Sequence, residues 1–237
     1  MQDGFFNKIA ASLSVERLGS YGQRDQADQC TILARYLWNM AVCESLYSPL
    51  QLCEVGLRNA IHQRLTELYG PAWYESPDLS ITDWGRYEVE KAKAKLLGQN
   101  VQSSPASIVA ELQFGFWTHL FQDHYESRTD FLPRSIKHVF PNLPKSRHNR
   151  KQIKRTLDDI RDLRNKVFHH ERVVHWTDLK DKHQIMMDVI QWAGIELYEM
   201  AVALDRFTPI YSAGIDPWKE KIRQHWPSRP DELPKRN

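Results

Sequence analysis

The run Ile153-Lys-Arg-Thr-Leu157-Asp-Asp-Ile160-Arg-Asp-Leu163-Arg164-Asn165-Lys166-Val167-Phe168-His169-His170 decides how this chain is read. Ile153, Leu157, Ile160 and Val167 recur at helical spacing, and Arg164 falls on the same stripe, between Ile160 and Val167. An arginine carried into or beside a packed seam without a partner costs several kcal/mol, so a carboxylate, a carbonyl or a bound phosphate is expected to face it. Alone, such an arginine reads as a structural ion pair. Followed by Asn165 and His169, it points to chemistry on a phosphodiester. Arginine stays charged and presents a fork of donors to phosphate oxygens, while histidine can take and return a proton near neutrality.

Five steps along a helix put His169 roughly 140° around from Arg164 and about 7.5 Å further on, so the two side chains cannot stack. They can converge on one phosphate if His169 sits where the last turn loosens, or if a second copy of the motif completes the site. A dimer is therefore expected. Neither role needs a metal.

Working outward, the 237 residues allow one large domain or two small ones, and 41% hydrophobic content supports a sizeable core. No apolar run approaches the roughly 18 residues of a membrane span, and the N-terminus lacks a signal-peptide layout, so no membrane association and a cytoplasmic location are expected. The three cysteines, Cys30, Cys43 and Cys53, lie in apolar helical contexts without ligand spacing and read as buried thiols. The net charge of +2 conceals an uneven distribution. Between Arg134 and Arg172 twelve Lys/Arg face four Asp/Glu, a balance of +8 that leaves −6 for the rest. Such a zone can be a solvated helix face, or it can attract a polyanion; its coincidence with Arg164 and His169 favours RNA.

Helical patterning accounts for most of the chain, and an all-α bundle is expected. One helix should run from about Asp25 to Leu46, carrying Cys30, Leu33, Ala34, Leu37, Ala41 and Val42 inward, and Ser48-Pro49 should start a second one ending at Gly70-Pro71. Pro77 to Asp83 reads as a loop, and Asp83 to about Leu97 as a short charged helix. Ser104-Pro105 opens a helix to about His124, Pro141 and Pro144 mark a break, and a last long helix spans Asp178 to about Arg206. Residues 1–206 are thus expected to form one helical domain. Residues 207–237, with Pro209, Pro217, Pro227, Pro230 and Pro234, should form a proline-rich C-terminal arm with one short helix around Trp218 to Trp226.

Leu57-Arg58-Asn59-Ala60-Ile61-His62 echoes Leu163-Arg164-Asn165 through His169. Glu54, Arg58 and His62 share one helix face, so Glu54 can bridge Arg58 within the helix. Alternatively Glu54 or Asn59 reaches across the bundle to position Arg164.

These residues resemble a known group. The chain is similar to Abi-like proteins, of the bacterial abortive-infection type, within the superfamily of helical domains called HEPN. The resemblance is carried by Arg17-Leu18-Gly19-Ser20-Tyr21, Tyr36-Leu37-Trp38-Asn39, Leu52 through Ile61, Glu111 through Trp117, and Leu163-Arg164-Asn165 through Glu171, in the expected order over roughly residues 12 to 205. It implies a HEPN-like helical bundle with extra helices and a metal-independent endoribonuclease without cofactor, acting in phage defence or as a toxin. Arg164 would stabilise charge on phosphorus, His169 would act as general acid or base, and Asn165 would orient them or the ribose. Glu54, Arg58, Asn59, His170, Arg161 and Lys166 are the supporting or RNA-binding candidates, with His170 ranked below His169. Partners implied are RNA, a second copy of the chain, and an antitoxin, either protein or small RNA. Phe168 departs from the small residue expected there and should fill the seam or stack on a base.

Three rivals remain open: a metal site, a non-catalytic RNA-binding module, and a purely structural interaction protein whose basic zone buries against an acidic partner. His169, His170, Glu171 and His175 cluster in sequence as metal ligands can, but His169 and His170 point about 100° apart on a helix and no His-x3-His pair accompanies them. Alternatively the basic zone and the Arg/His pair only grip RNA, as a non-catalytic binding or regulatory module.

Overall fold

Apolar side chains at helical spacing fold the chain into helices, and among the described residues of the computed structural model, 3–23, 25–102, 104–127 and 131–225, there is no strand. In chain order these are α1 (Asp3–Leu13), α2 (Val15–Gly19), α3 (Gln29–Tyr69), α4 (Asp83–Gly98), α5 (Pro105–Glu111), α6 (Phe114–His119), α7 (His124–Ser127) and α8 (Phe131–Val139). They continue with α9 (Arg150–Phe168), α10 (Leu179–Ala193), α11 (Ile195–Leu204), α12 (Phe207–Ala213) and α13 (Asp216–His225). The fold is all-α.

The expected helix start at Ser48-Pro49 does not occur. Instead α3 runs unbroken for 41 residues with Pro49 inside it. A proline in a helix interior costs about 3 kcal/mol through its missing N–H and its ring clash. Burying one leucine recovers roughly 1.5–3 kcal/mol, and Leu46, Leu50 and Leu57 are all at most 2% exposed, so burial along this helix outweighs the lost bond. At its end Gly70 takes a φ of 85°, and the helix stops as the Gly70-Pro71 signal predicts.

Two other predicted helices divide. The stretch from Pro105 breaks at Leu112, whose backbone is extended and whose carbonyl accepts a 3.2 Å bond from Trp117 Nε1. The break lets Leu112, Phe114, Phe116 and Trp117 all bury, which one regular helix with a solvent face could not do. The stretch from Asp178 breaks at Gly194, the poorest helix former after proline, which leaves its extended backbone to begin α11. Sequence patterning assigned no element to the stretch that forms α8; its Pro133 sits in the first turn, where no intrahelical N–H is needed.

The chain divides into two compact units. One comprises the chain up to Leu46, Arg172–Thr177 and the chain from Arg206 onward; the other comprises Tyr47–Glu171 and Asp178–Asp205. The helix α3 contributes to both. In the first unit Ala10, Leu18, Leu33, Ala34 and Ile222 share a core, to which the tail contributes Ile222 of α13, and Phe207 of α12 is buried as well. The remaining tail positions, Trp226, Pro227, Pro230 and Pro234, lie outside the described residues. In the second unit α9 packs against α6 and α10, burying Ile153, Leu157, Ile160, Leu163 and Val167. The three cysteines are free thiols; Cys43 and Cys53 are buried, whereas Cys30 is only half-buried.

The end of α6 holds an unusual histidine. The ring of His119 is hydrogen-bonded through Nε2 to Thr82 Oγ1 at 2.8 Å and lies 4.3 Å from the ring of Trp84. Burial, reinforced by the charges of Lys154, His124 and Arg161, pushes its pKa down to about 4. The unfolded chain therefore binds the proton first. Stability contributed by the neutral ring is full above about pH 6.5 and is lost as pH falls toward 4. The thermal midpoint of His119→Gln should accordingly fall less than that of the intact protein between about pH 7 and about pH 4.5. Equal falls would show that the ring titrates at its ordinary value.

Candidate functional site

The motif sits at the C-terminal end of α9, and the way that helix stops sets its geometry. Phe168 is the last helical residue, and His169 is the C-cap, with φ −88° and ψ 9°. His170 follows with φ 56°, its N–H bonded to Val167 O at 3.1 Å, while Glu171 N–H bonds to Lys166 O at 2.9 Å. This is a Schellman stop with a histidine in the left-handed position usually taken by glycine. His169 therefore lies where the last turn loosens, one of the two arrangements its spacing requires. Its ring is exposed and has no hydrogen bond among the described residues.

Arg164 lies at the edge of the buried stripe rather than in it, because Leu163 fills the interior position. Its Nε donates to Glu54 Oε2 of α3 at 3.2 Å, and the two side chains are 24% and 21% exposed. Its Nη1 donates to Asn165 Oδ1 at 3.4 Å, and its guanidinium stands over the Phe168 ring at 4.4 Å. Phe168 does not fill the seam; it is 36% exposed and packs on Tyr47, ring centroids 4.8 Å apart. Arg164, Asn165, Glu54, Phe168 and Tyr47 thus form one cluster with a partly exposed guanidinium at its centre.

The remaining candidates divide. Glu54 pairs with Arg164, and among the described residues no ion pair joins it to Arg58, which instead donates to Asn59 Oδ1 at 3.4 Å. Neither Arg58 nor Asn59 meets Arg164. His62 accepts a 2.9 Å bond from Trp73 Nε1, and burial lowers its pKa, which makes it a packing residue. Arg161 pairs with Asp158 at 2.9 Å, and Lys166 pairs with Glu171. Arg164 and His169 share no hydrogen bond within one chain.

The basic zone also resolves into two parts. Arg150, Lys154, Arg161, Arg164 and Lys166 all hold carboxylates. Exposed Lys151 and Arg155, and Lys145 just before α9, have no carboxylate partner among the described residues. They sit at the opposite end of the helix, Lys151 about 20 Å from Arg164 by helical rise. Tyr47 was the residue that sequence could not supply, since it lies in a distant segment with no motif of its own. Among the described residues no group of three or more His, Cys, Asp or Glu side chains is disposed to hold a metal ion. No helix there is long and apolar enough to cross a membrane.

A histidine at positive φ carries about 1 kcal/mol of backbone cost that glycine avoids. His170→Gly should therefore unfold at a free energy about 1 kcal/mol higher than His170→Ala in denaturant titration, since both lack the ring and only glycine avoids the backbone cost. Equal stabilities would show that position 170 leaves the left-handed region once the ring is gone. Set against protein-family models, curated proteins and solved structures, the chain has no match, so what it does must be argued from its own side chains.

Proposed function

We propose that this chain is a metal-independent, HEPN-type endoribonuclease of abortive-infection or toxin character, acting in the cytoplasm as a homodimer. The observation that carries this is the pairing of a held, partly exposed guanidinium, Arg164, with an exposed imidazole at a helix cap, His169, five residues later. Glu54 and the Phe168 ring hold the guanidinium in orientation, and Asn165 adds an oxygen acceptor beside it.

In the reaction the RNA 2′-hydroxyl attacks the adjacent phosphorus and the 5′-oxygen of the next nucleotide leaves. A 2′,3′-cyclic phosphate and a free 5′-hydroxyl result. His169 takes the proton from the 2′-oxygen or returns one to the 5′-oxygen, and Arg164 stabilises charge on the phosphoryl oxygens. DNA lacks the nucleophile. Because Arg164 and His169 do not touch within one chain, a second copy is expected to bring its own motif to the same cleft. An antitoxin, protein or small RNA, would restrain the activity.

Non-catalytic RNA binding has one observation in its favour, namely that Glu54 already neutralises Arg164. The two functions part in a single experiment, incubation of the purified protein with a cellular RNA pool in excess EDTA. The intact protein should cut, leaving cyclic or 3′-phosphate ends, while His169→Ala should lose at least about a hundred-fold in rate and keep its RNA affinity within a few-fold. Binding without cutting by the intact protein would instead favour the binding module.

A further inference from the structure

A cavity lies outside the motif, in the unit built from both chain ends. Its volume is about 480 Å³, within the usual range of small-molecule sites, and its lining is mostly carbon with a few polar groups. Two of the sequence blocks meet there, Arg17 to Tyr21 through Ser20 and Tyr21, and Tyr36 to Asn39 through Trp38.

Its two arginines differ in kind. Arg35 is neutralised by Asp25, to which it donates two bonds of 2.8 and 2.5 Å, and it also donates to Tyr21 O at 2.8 Å. Arg172 donates to Ser20 O and lies 5.5 Å from the Tyr21 ring, and no carboxylate pairs with it among the described residues. Its position is fixed by its neighbours, because Asn39 Oδ1 accepts from the N–H groups of Val173 and Val174 at 2.8 and 3.3 Å. Tyr21 also lines the cavity, its ring edge-on to that of Tyr36 with centroids 5.5 Å apart. Trp38 and Ile215 supply apolar lining. Trp38 is held by the 3.1 Å bond from its Nε1 to Ile210 O, and Ile215 lines the cavity beside it.

We propose that this cavity binds a small organic anion, a carboxylate or phosphate carried on a flat apolar body. Arg172 takes the anionic group, and the body lies against Trp38 and Ile215. The site is independent of Arg164 and His169.

The test is calorimetric titration of the full chain with three probes of one shape, 1-naphthoate, 1-naphthyl phosphate and 1-naphthalenemethanol. At least one anion should bind about ten-fold or more tightly than the neutral alcohol, and the pair distinguishes carboxylate from phosphate. Arg172→Gln should weaken that anion by about ten-fold or more and leave the alcohol unchanged. Ile215→Trp, which narrows the cavity and keeps the arginine, should weaken all three probes alike, and it carries the test if the arginine variant fails to fold. Anions that bind no better than the alcohol, or that bind the narrowed variant as tightly as the intact chain, would overturn the proposal.

Discussion

A guanidinium cannot leave water alone, and the ion pair of Arg164 with Glu54 answers that constraint in the second unit. The apolar stripe of α9 brings position 164 to the edge of a packed seam, where the charge loses part of its hydration. Glu54 supplies the compensating charge from α3, and the Phe168 ring supplies a face over which the rest of the guanidinium spreads. Phe168 is in turn braced by Tyr47. Remove the carboxylate and the arginine turns toward solvent, which would undo the orientation on which the proposed phosphate contact rests.

The charge of α9 is organised by the same principle. Wherever the helix packs, its basic side chains have acquired acidic partners, as Arg150, Lys154 and Arg161 show. Only where it meets water, around Lys151 and Arg155, do they remain available to a polyanion. In the proposed reaction, RNA would be attracted at one end of the helix and cut at the other, so that affinity and cleavage could be altered independently.

The stop of α9 joins local to functional structure. The cap bonds of His170 and Glu171 satisfy the last carbonyls, so the chain turns immediately after the motif, and His169 is left at the rim with its ring exposed. The following residues, Arg172 to Thr177, then belong to the other unit, where Asn39 pins them and Arg172 enters a cavity with a character of its own. One stretch of chain thus feeds two chemically different places.

Periodicity alone determined that this chain is helical, that Gly70 ends one helix, that Ser104 caps another, and that Arg164 needs a partner. Those are local matters, set by side-chain spacing, backbone freedom and the cost of stranding a charge. Competition between burial and propensity was not legible: Pro49 is carried through α3 because leucines on both sides are buried, and the helix breaks at Leu112 because it and three large side chains beyond it, Phe114, Phe116 and Trp117, must all be enclosed. Nor could sequence choose between Arg58 and Arg164 as the partner of Glu54, since both were within reach of a long carboxylate. Only the tertiary structure decided it, by bringing α9 to α3 across 110 residues of chain and so placing Glu54 against the arginine that packing had partly dried.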